Sequence, residues 1–234
     1  MTHTLYTIGY AGKDIDTFIK LLKKHGIKCL IDVRSSPFSG TFPEYDKPRL
    51  KETLATNDIL YAHFGSEFGA RRTEDEAYSV TYSLKGERKD QVDFQKVYQL
   101  PAFQKGVERI IKGAEQNYSI CFMCSEKHPI DCHRFWMVAY YFATLSLSFD
   151  IINIISENET QSFKDVLDSV DIDKEKKKFY SEHDELNECS LVPVQVPLWV
   201  RYWNEIFSNG ENNKEQKSSN IRIGYVKGSE EEYD

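Results

Sequence analysis

The chain has 234 residues, of which 40% are hydrophobic and 29% are charged, and its formal net charge is −7. This length and composition allow one sizeable buried core, and the acidic balance excludes a broad basic surface that wraps nucleic acid. The longest apolar run, near residues 135–145, is far shorter than the roughly 20 residues that span a bilayer, and the N-terminus resembles no export signal, so the sequence predicts a cytoplasmic protein with no membrane partner.

The first part of the chain predicts a strand, a helix and a second strand. LYTIG (5–9) is a short strand-like run, and the next segment predicts a helix capped by Asp14 and ended by Gly26. The apolar residues of this helix share one face, with spacings of i, i+3, i+4 and i+7: Ile15, Phe18, Ile19 and Leu22. IKCLIDV (27–33) is almost continuously apolar, as expected of a strand covered on both faces in a parallel sheet.

The same alternation continues toward residue 160. Pro48 and Pro101 each precede a helical pattern, and the strands that follow are ILYAHF (59–64) and SICFM (119–123). A bulky apolar helix over 132–145 and a fifth strand, FDIINII (149–155), complete the series. The predicted fold of residues 1–160 is therefore α/β, with three layers and a mostly parallel sheet flanked by helices.

Residues 161–234 are predicted to form a C-terminal helical and irregular extension. It contains a charged helix at 171–188, a tryptophan-containing helix at 196–207, and a flexible acidic tail. A second irregular region lies inside the main domain, where the long charged loop 71–94 is predicted to act as a lid or binding segment.

Polar loops follow four of the predicted strands, and ligands of open α/β sheets bind at the carboxyl ends of the strands. Arginine side chains suit carboxylate or phosphate oxygens, while glycine-rich turns and helix N-termini add backbone donors. The sequence therefore predicts an anion-binding rim. Its candidate residues are Gly9, Tyr10, Asp32, Arg34, Ser35, Pro37, His63, Gly69, Arg71, Arg72 and Arg134.

The stretch CSEKHPIDCHR (124–134) follows the fourth strand and carries the candidate chemistry. A cysteine at a strand end or helix start, close to Arg134 and His133, is favoured as a thiolate nucleophile, and nearby acids or His133 can move protons. The candidate catalytic residues are Cys124, Glu126, Cys132 and His133.

Two alternatives for this stretch stay open. A zinc site would use Cys124, His128, Cys132 and His133, although their spacing matches none of the familiar zinc motifs. The simpler alternative is a helix start capped by Asp131, with cysteines buried as small hydrophobic residues.

Five segments in the same order resemble the bacterial and archaeal family known as domain of unknown function 488. They are TIGY (7–10), LIDVRSSPFS (30–39), FPEY (42–45), YAHFGSEFGARR (61–72) and MCSEKHPIDCHR (123–134). The resemblance covers about residues 3–160 and implies the same α/β fold. It implies no particular reaction.

Two functions are compatible with these observations. The first is an enzyme that acts on an anionic small molecule or nucleic-acid end, such as a nucleotide or another phosphate-bearing substrate. The second is a non-catalytic ligand-binding or sensing domain that uses the same pocket, with zinc or redox-active thiols. Catalysis would require Glu126 and His133, whereas binding alone would depend on the arginines. The sequence leaves the cofactor and the oligomeric state open.

Overall fold

The computed structural model describes residues 2–82, 88–145 and 149–169. Its strands are β1 (His3–Gly9), β2 (Cys29–Asp32), β3 (Leu60–His63), β4 (Tyr78–Tyr82), β5 (Arg88–Val92), β6 (Ile120–Cys124), β7 (Phe149–Ile154) and β8 (Thr160–Ser162). Six of them form one sheet in the order β3-β2-β6-β1-β7-β8, and β4 and β5 form a separate hairpin. Every neighbouring pair in the large sheet is parallel except β7 and β8, which confirms the predicted, mostly parallel sheet.

Within the residues that the structure describes, seven α-helices accompany these strands. They are α1 (Ile15–Lys24), α2 (Lys47–Ala55), α3 (Gly65–Phe68), α4 (Phe94–Gln99), α5 (Pro101–Glu115), α6 (Tyr140–Thr144) and α7 (Phe163–Asp168). Helix α1 begins as predicted, because the Asp14 side chain accepts a hydrogen bond of 2.7 Å from the Thr17 amide. The chain turns after α1 at Gly26, whose φ of +63° lies in the left-handed region that glycine tolerates.

Side chains of the central strands alternate between two hydrophobic cores. In β6, Phe122 and Cys124 face the core that also contains residues of α5 and α7, whereas Cys121 and Met123 face the core packed by α1 and α2. This alternation is the period of two that a strand imposes. The sheet is therefore the middle layer of three, as the sequence predicts.

The segment after β6 differs from the single helix predicted over 132–145. A 3-10 turn at Pro129–Asp131 comes first, then a π-helix at Arg134–Ala139, and then α6. All six residues of the π-helix are buried. π-helical turns are rare in proteins, and those that occur are often found at functional sites. Asp131 lies within the 3-10 turn and does not cap the helix.

The stretch predicted as a charged loop, 71–94, contains regular structure. It holds a 3-10 turn at Asp75–Ala77 and the strands β4 and β5, and α4 starts at its end. Sequence patterning missed these strands because β5, Arg88–Val92, has the polar sequence RKDQV and lacks apolar alternation.

The end of the described chain packs on the main sheet. Val166 of α7 is buried in the core, and the rings of Phe163 and Phe135 stack with centroids 4.8 Å apart. The predicted helices at 171–188 and 196–207 and the acidic tail lie outside the described residues. Among the described helices, none combines the length and apolarity that crossing a membrane requires.

Candidate functional site

A cavity of about 310 Å³ opens where the carboxyl ends of β1, β2 and β6 lie side by side. The three strands end at one level, since Gly9 pairs with Cys124 and Asp32 pairs with Met123. The chain leaves β1 toward β2 and leaves β6 toward β7, on the opposite side, which makes this edge a topological switch point. The cavity is lined by Tyr10, Arg34, Ser35, Ser36, Phe38, Ala70, Arg71, Cys124, Ser125, Glu126 and His133.

Arg34 is a fixed cation in the cavity wall. Its Nε and Nη2 donate to the two carboxylate oxygens of Asp32 at 2.9 and 2.7 Å, and Nη2 also donates to the Tyr45 carbonyl. Nη1 donates to the Tyr10 hydroxyl at the longer distance of 3.4 Å. Asp32 is completely buried and Arg34 nearly so. The pair therefore orients the guanidinium and leaves Nη1 as its most weakly bonded edge.

Arg71 is the second cation of the cavity and is held only by its backbone. Its amide donates to Ser35 Oγ at 2.8 Å, and its exposed guanidinium makes no hydrogen bond or ion pair within the described part of the chain. Gly69 allows this loop to approach Ser35, because a Cβ at Gly69 would lie 2.6 Å from Ser35 Oγ. The Arg71 side chain is therefore free to close on a bound anion.

Cys124 and His133 face each other at the base of the cavity. The Cys124 Sγ lies 3.8 Å from Nδ1 of His133, and Nε2 of His133 bonds the Val33 carbonyl at 3.0 Å. Because Nε2 must donate to that carbonyl, Nδ1 of the neutral ring is an acceptor directed at the thiol. Burial alone would lower the pKa of His133, but Cys132, the Val33 carbonyl and Glu126 together raise it. The geometry thus provides a thiol and a base that can take its proton.

Glu126 and Cys132 lie beside that pair. The Cys132 thiol donates to Glu126 Oε2 at 2.9 Å, and the Ser125 hydroxyl donates to Oε1 at 3.2 Å. Burial raises the pKa of Glu126, but hydrogen bonds from both thiols and its own backbone, together with His133, outweigh it and lower the pKa to about 2. Burial and the neighbouring Cys124 raise the pKa of Cys132 well above its usual range. Glu126 is therefore an anion and Cys132 a neutral thiol, which leaves Cys124 as the nucleophile candidate.

Three of the predicted arginine and histidine residues stabilise the surrounding loops and do not line the cavity. Arg72 bonds the carbonyl of Gly69 and the carboxylate of Glu74. Arg134 is fully buried and donates to the carbonyls of Glu126 and Lys127, and Nε2 of His63 lies 2.8 Å from the Arg34 carbonyl. Their role in this structure is to hold the loops that carry the cavity residues.

Of the remaining predicted residues, one lines the cavity and the others support its walls or lie outside the site. Tyr10 lines the cavity and stacks on Tyr45 with centroids 4.2 Å apart. The Pro37 carbonyl accepts from the Lys47 amide and Gly9 packs against the Glu126 carbonyl, so both support the walls. His128 is exposed and lies outside the group formed by Cys124, Glu126, Cys132 and His133.

Lys13 is a residue near the site that sequence reasoning missed. It is only 8% exposed, and its Nζ donates to the Gly9 carbonyl at 2.8 Å. Burial, followed by the charges of Arg134 and Lys127, lowers its pKa from 10.5 to about 8. A lysine inside a glycine-rich turn gives no sign of such burial in the sequence. The cavity-lining residues that are absent from the predicted set are Ser36, Phe38, Ala70 and Ser125.

The contribution of Lys13 to stability is expected to depend on pH. Its folded pKa is about 8 and its ordinary value is 10.5, so between these values the unfolded chain binds more protons. The unfolding free energy of the wild type minus that of Lys13→Met should therefore be flat below about pH 7 and rise by up to about 1.4 kcal/mol per pH unit between about pH 8 and 10. Urea unfolding of both proteins over this range measures the difference, and a difference independent of pH would contradict the burial of Lys13.

Comparison with known protein families gives a match over the main domain. A family model described as a domain of unknown function, DUF488, matches residues 14–141, which is more than half of the chain. The matched range includes every cavity-lining residue except Tyr10. No curated protein and no solved structure matches the chain.

Proposed function

The chain belongs to the family described as a domain of unknown function, DUF488, and because that description names no reaction, we propose from the cavity itself that the protein is an enzyme acting on an anionic substrate. The substrate class is phosphate-bearing: a nucleotide, a nucleic-acid end or a related small molecule. One observation carries the proposal. The facing pair Cys124 and His133 opens into the same cavity as Arg34 and Arg71.

The anionic group of the substrate binds at the arginine side of the cavity. Arg34 offers a rigid guanidinium, because Asp32 fixes its other edge, and Arg71 offers an exposed one that has no partner among the described residues. Guanidinium groups bind phosphate and carboxylate oxygens through paired, charge-assisted hydrogen bonds. The Ser35 and Ser36 side chains lie along the same wall and supply further hydroxyl donors.

The reaction begins at the thiol side of the cavity. Cys124 Sγ passes its proton to His133 Nδ1 and attacks an electrophilic carbon or phosphorus atom, so that an S–C or S–P bond forms while the bond to the leaving group breaks. The His133 imidazolium, held by the Val33 carbonyl and by the negative charge of Glu126, gives its proton to the leaving group. A water molecule, deprotonated by the same imidazole, then attacks that carbon or phosphorus atom, so that an O–C or O–P bond forms and the S–C or S–P bond breaks. The imidazolium returns its proton to the Cys124 thiolate, which restores the starting thiol and imidazole.

The rim of the cavity favours a substrate with a ring. Phe38 is 63% exposed although it lines the cavity. An exposed aromatic side chain next to an anion site can stack on a nucleobase, with a contribution of about 1–3 kcal/mol per base. Within the proposed substrate class, this feature supports a nucleotide.

The proposal includes a cytoplasmic location. Cys29, Cys121, Cys124 and Cys132 are unpaired in the described structure. Unpaired thiols are the form that the reducing cytoplasm maintains, which supports this location.

A non-catalytic binding domain is the second candidate function. The observation that favours it is the depth of Cys124, which is only 2% exposed. In that case the arginines would bind the anion and the thiol would remain unreactive.

Alkylation of the metal-free, reduced protein by iodoacetamide tests the proposal. Peptide mass spectrometry should find Cys124 alkylated faster than Cys29 despite its burial, and His133→Ala should slow that reaction on the order of tenfold or more. Inorganic phosphate and adenosine monophosphate should protect Cys124 in the wild type but not in Arg71→Ala. Cys29→Ser is the matched control and should leave the rate at Cys124 unchanged.

Two results would decide against catalysis. If Cys124 is alkylated no faster than Cys29, or if His133→Ala leaves the alkylation rate of Cys124 unchanged, no base activates the thiol. The proposal that the protein is an enzyme is then wrong. Protection by phosphate that still depends on Arg71 would then support the binding domain.

A further inference from the structure

Four side chains with metal-binding atoms converge at the base of the cavity and form the thiol cluster: Cys124, Glu126, Cys132 and His133. Their ligand atoms all lie within 4.8 Å of one another. The proposed reaction uses Cys124, His133 and Glu126 but assigns nothing to Cys132, a buried thiol directed at the same point. The convergence of two thiols, an imidazole and a carboxylate therefore needs a further explanation.

The spacing of the thiol cluster is close to that of a tetrahedral zinc site. Zinc binds sulfur at about 2.3 Å and nitrogen or oxygen at about 2.0–2.2 Å, which places the ligand atoms of a tetrahedron roughly 3.3–3.8 Å apart. Cys132 Sγ and Glu126 Oε2 are 2.9 Å apart, and Cys124 Sγ and His133 Nδ1 are 3.8 Å apart. With no separation above 4.8 Å, shifts of about 1 Å or less would close the tetrahedron around an ion.

The cluster also has the outer contacts that orient metal ligands. His133 directs Nδ1 into the cluster because Nε2 bonds the Val33 carbonyl at 3.0 Å, an arrangement usual for metal-bound histidine. The Arg134 amide donates to Cys132 Sγ at 3.4 Å, and the Ser125 hydroxyl donates to the far oxygen of Glu126 at 3.2 Å. These contacts orient three of the four ligands.

The ligand types select the metal. Thiolate and imidazole ligands favour Zn²⁺ over Mg²⁺ or Ca²⁺, which take oxygen ligands. Two thiolates and the Glu126 carboxylate supply three negative charges against the two of the ion, and the buried guanidinium of Arg134 next to the cluster offsets the excess. The set differs from the one predicted from the sequence, since Glu126 occupies the place expected for the exposed His128.

We propose that the thiol cluster binds one Zn²⁺ through Cys124 Sγ, Cys132 Sγ, His133 Nδ1 and a Glu126 carboxylate oxygen, with release of the two thiol protons to solvent. Bound zinc occupies the lone pairs of Cys124 and His133 that the reaction requires. Zinc therefore inhibits the enzyme, and this inhibitory role rests on the proposed function, whereas the metal site itself does not.

Titration of the metal-free, reduced full-length protein with Co²⁺ tests the site. One equivalent of Co²⁺ should produce the thiolate-to-cobalt charge-transfer absorption and the visible bands of a tetrahedral site, and one equivalent of Zn²⁺ should remove both. Cys132→Ser should abolish tetrahedral binding, while Cys29→Ser, which changes a cysteine outside the cluster, should titrate like the wild type. Circular dichroism establishes that each variant is folded, and if Cys132→Ser is not, Cys124→Ser should reduce the charge-transfer intensity by about half or more.

Absence of the charge-transfer band in the wild type, or an unchanged band in folded Cys132→Ser, would overturn the metal site. Alkylation of Cys124 separates this outcome from failure of the proposed function. One equivalent of Zn²⁺ should slow the reaction of Cys124 on the order of tenfold in the wild type and have no effect in Cys132→Ser. If Co²⁺ binds tetrahedrally but Cys124 is unreactive in the metal-free protein, the metal site is supported and the proposed enzyme function is refuted. If Cys124 is reactive but Co²⁺ does not bind, the enzyme function is supported and the metal site is refuted.

Discussion

Replacement of Asp32 by asparagine is expected to lower the free energy of unfolding by about 3–5 kcal/mol, the range observed when one partner of a buried ion pair is removed. The Asp32 carboxylate is completely buried and accepts hydrogen bonds from Nε, Nη2 and the amide of Arg34 and from the Tyr61 hydroxyl. Burial and the Asp32 charge raise the pKa of Tyr61, so its hydroxyl remains a donor. An asparagine amide would direct hydrogens at these donors and leave the Arg34 charge without a counterion.

Urea unfolding of the variant and the wild type measures this loss. The double variant Asp32→Leu with Arg34→Met should recover much of it, because removal of both charges leaves no buried ion unpaired. Glu157→Gln, which breaks the exposed ion pair with Lys20, is the control and should change the stability little. A small effect of Asp32→Asn would mean that Arg34 is not held by this carboxylate and would remove the rigid half of the proposed anion site.

Much of the fold was predictable because local signals and the tertiary structure agree. The run IKCLIDV contains β2, and the stop at Gly26 coincides with a left-handed φ. Asp14 was identifiable as a cap because its short side chain can bond only a nearby amide. Such signals depend on a few consecutive residues, so a single sequence contains them in full.

The features that sequence analysis missed depend on partners distant in the chain. The β4–β5 hairpin forms from polar strands that stabilise each other by pairing, and no apolar periodicity marks it. The π-helix differs from an α-helix by one residue in its hydrogen-bond register, and the buried sequence RFWMVA is compatible with both. Sequence patterning therefore predicted helical structure there but not its type.

The location of the candidate site could be predicted more accurately than the roles of its residues. Parallel strands bring their carboxyl ends to one edge, which is why loops distant in sequence were expected to converge. Which arginine faces the cavity depends on the carbonyls and carboxylates that each one meets. Arg134 and Arg72 are occupied by loop carbonyls, whereas Arg71 has no such partner among the described residues. Sequence gave no means of distinguishing them, because all are arginines in polar loops.

Gly9 lies where the end of β1 contacts the loop that carries Glu126. Gly9→Ala is therefore expected to lower the stability of the fold and to disturb the candidate site. A Cβ at this position would lie 1.8 Å from the Glu126 carbonyl oxygen and 3.1 Å from Arg134 Nη2. The end of β1 and the loop after β6 are in contact here, since the amides of Tyr10 and Ala11 donate to the carbonyls of Cys124 and Ser125. The methyl group must push these segments apart, and we expect a loss of about 3 kcal/mol in unfolding free energy, at the upper end of overpacking costs.

The damage should extend to the chemistry, because the displaced loop carries Glu126 and adjoins Cys124. In folded Gly9→Ala, alkylation of Cys124 should lose its dependence on His133, and phosphate should protect the thiol less well. Gly40→Ala is the matched control: a Cβ there meets no atom within 4 Å, so its stability should stay within about 0.5 kcal/mol of the wild type and its Cys124 reactivity should be unchanged. If Gly9→Ala matched Gly40→Ala in both measurements, the loop after β6 would not be packed against β1, and the facing arrangement of Cys124 and His133 would lose its structural support.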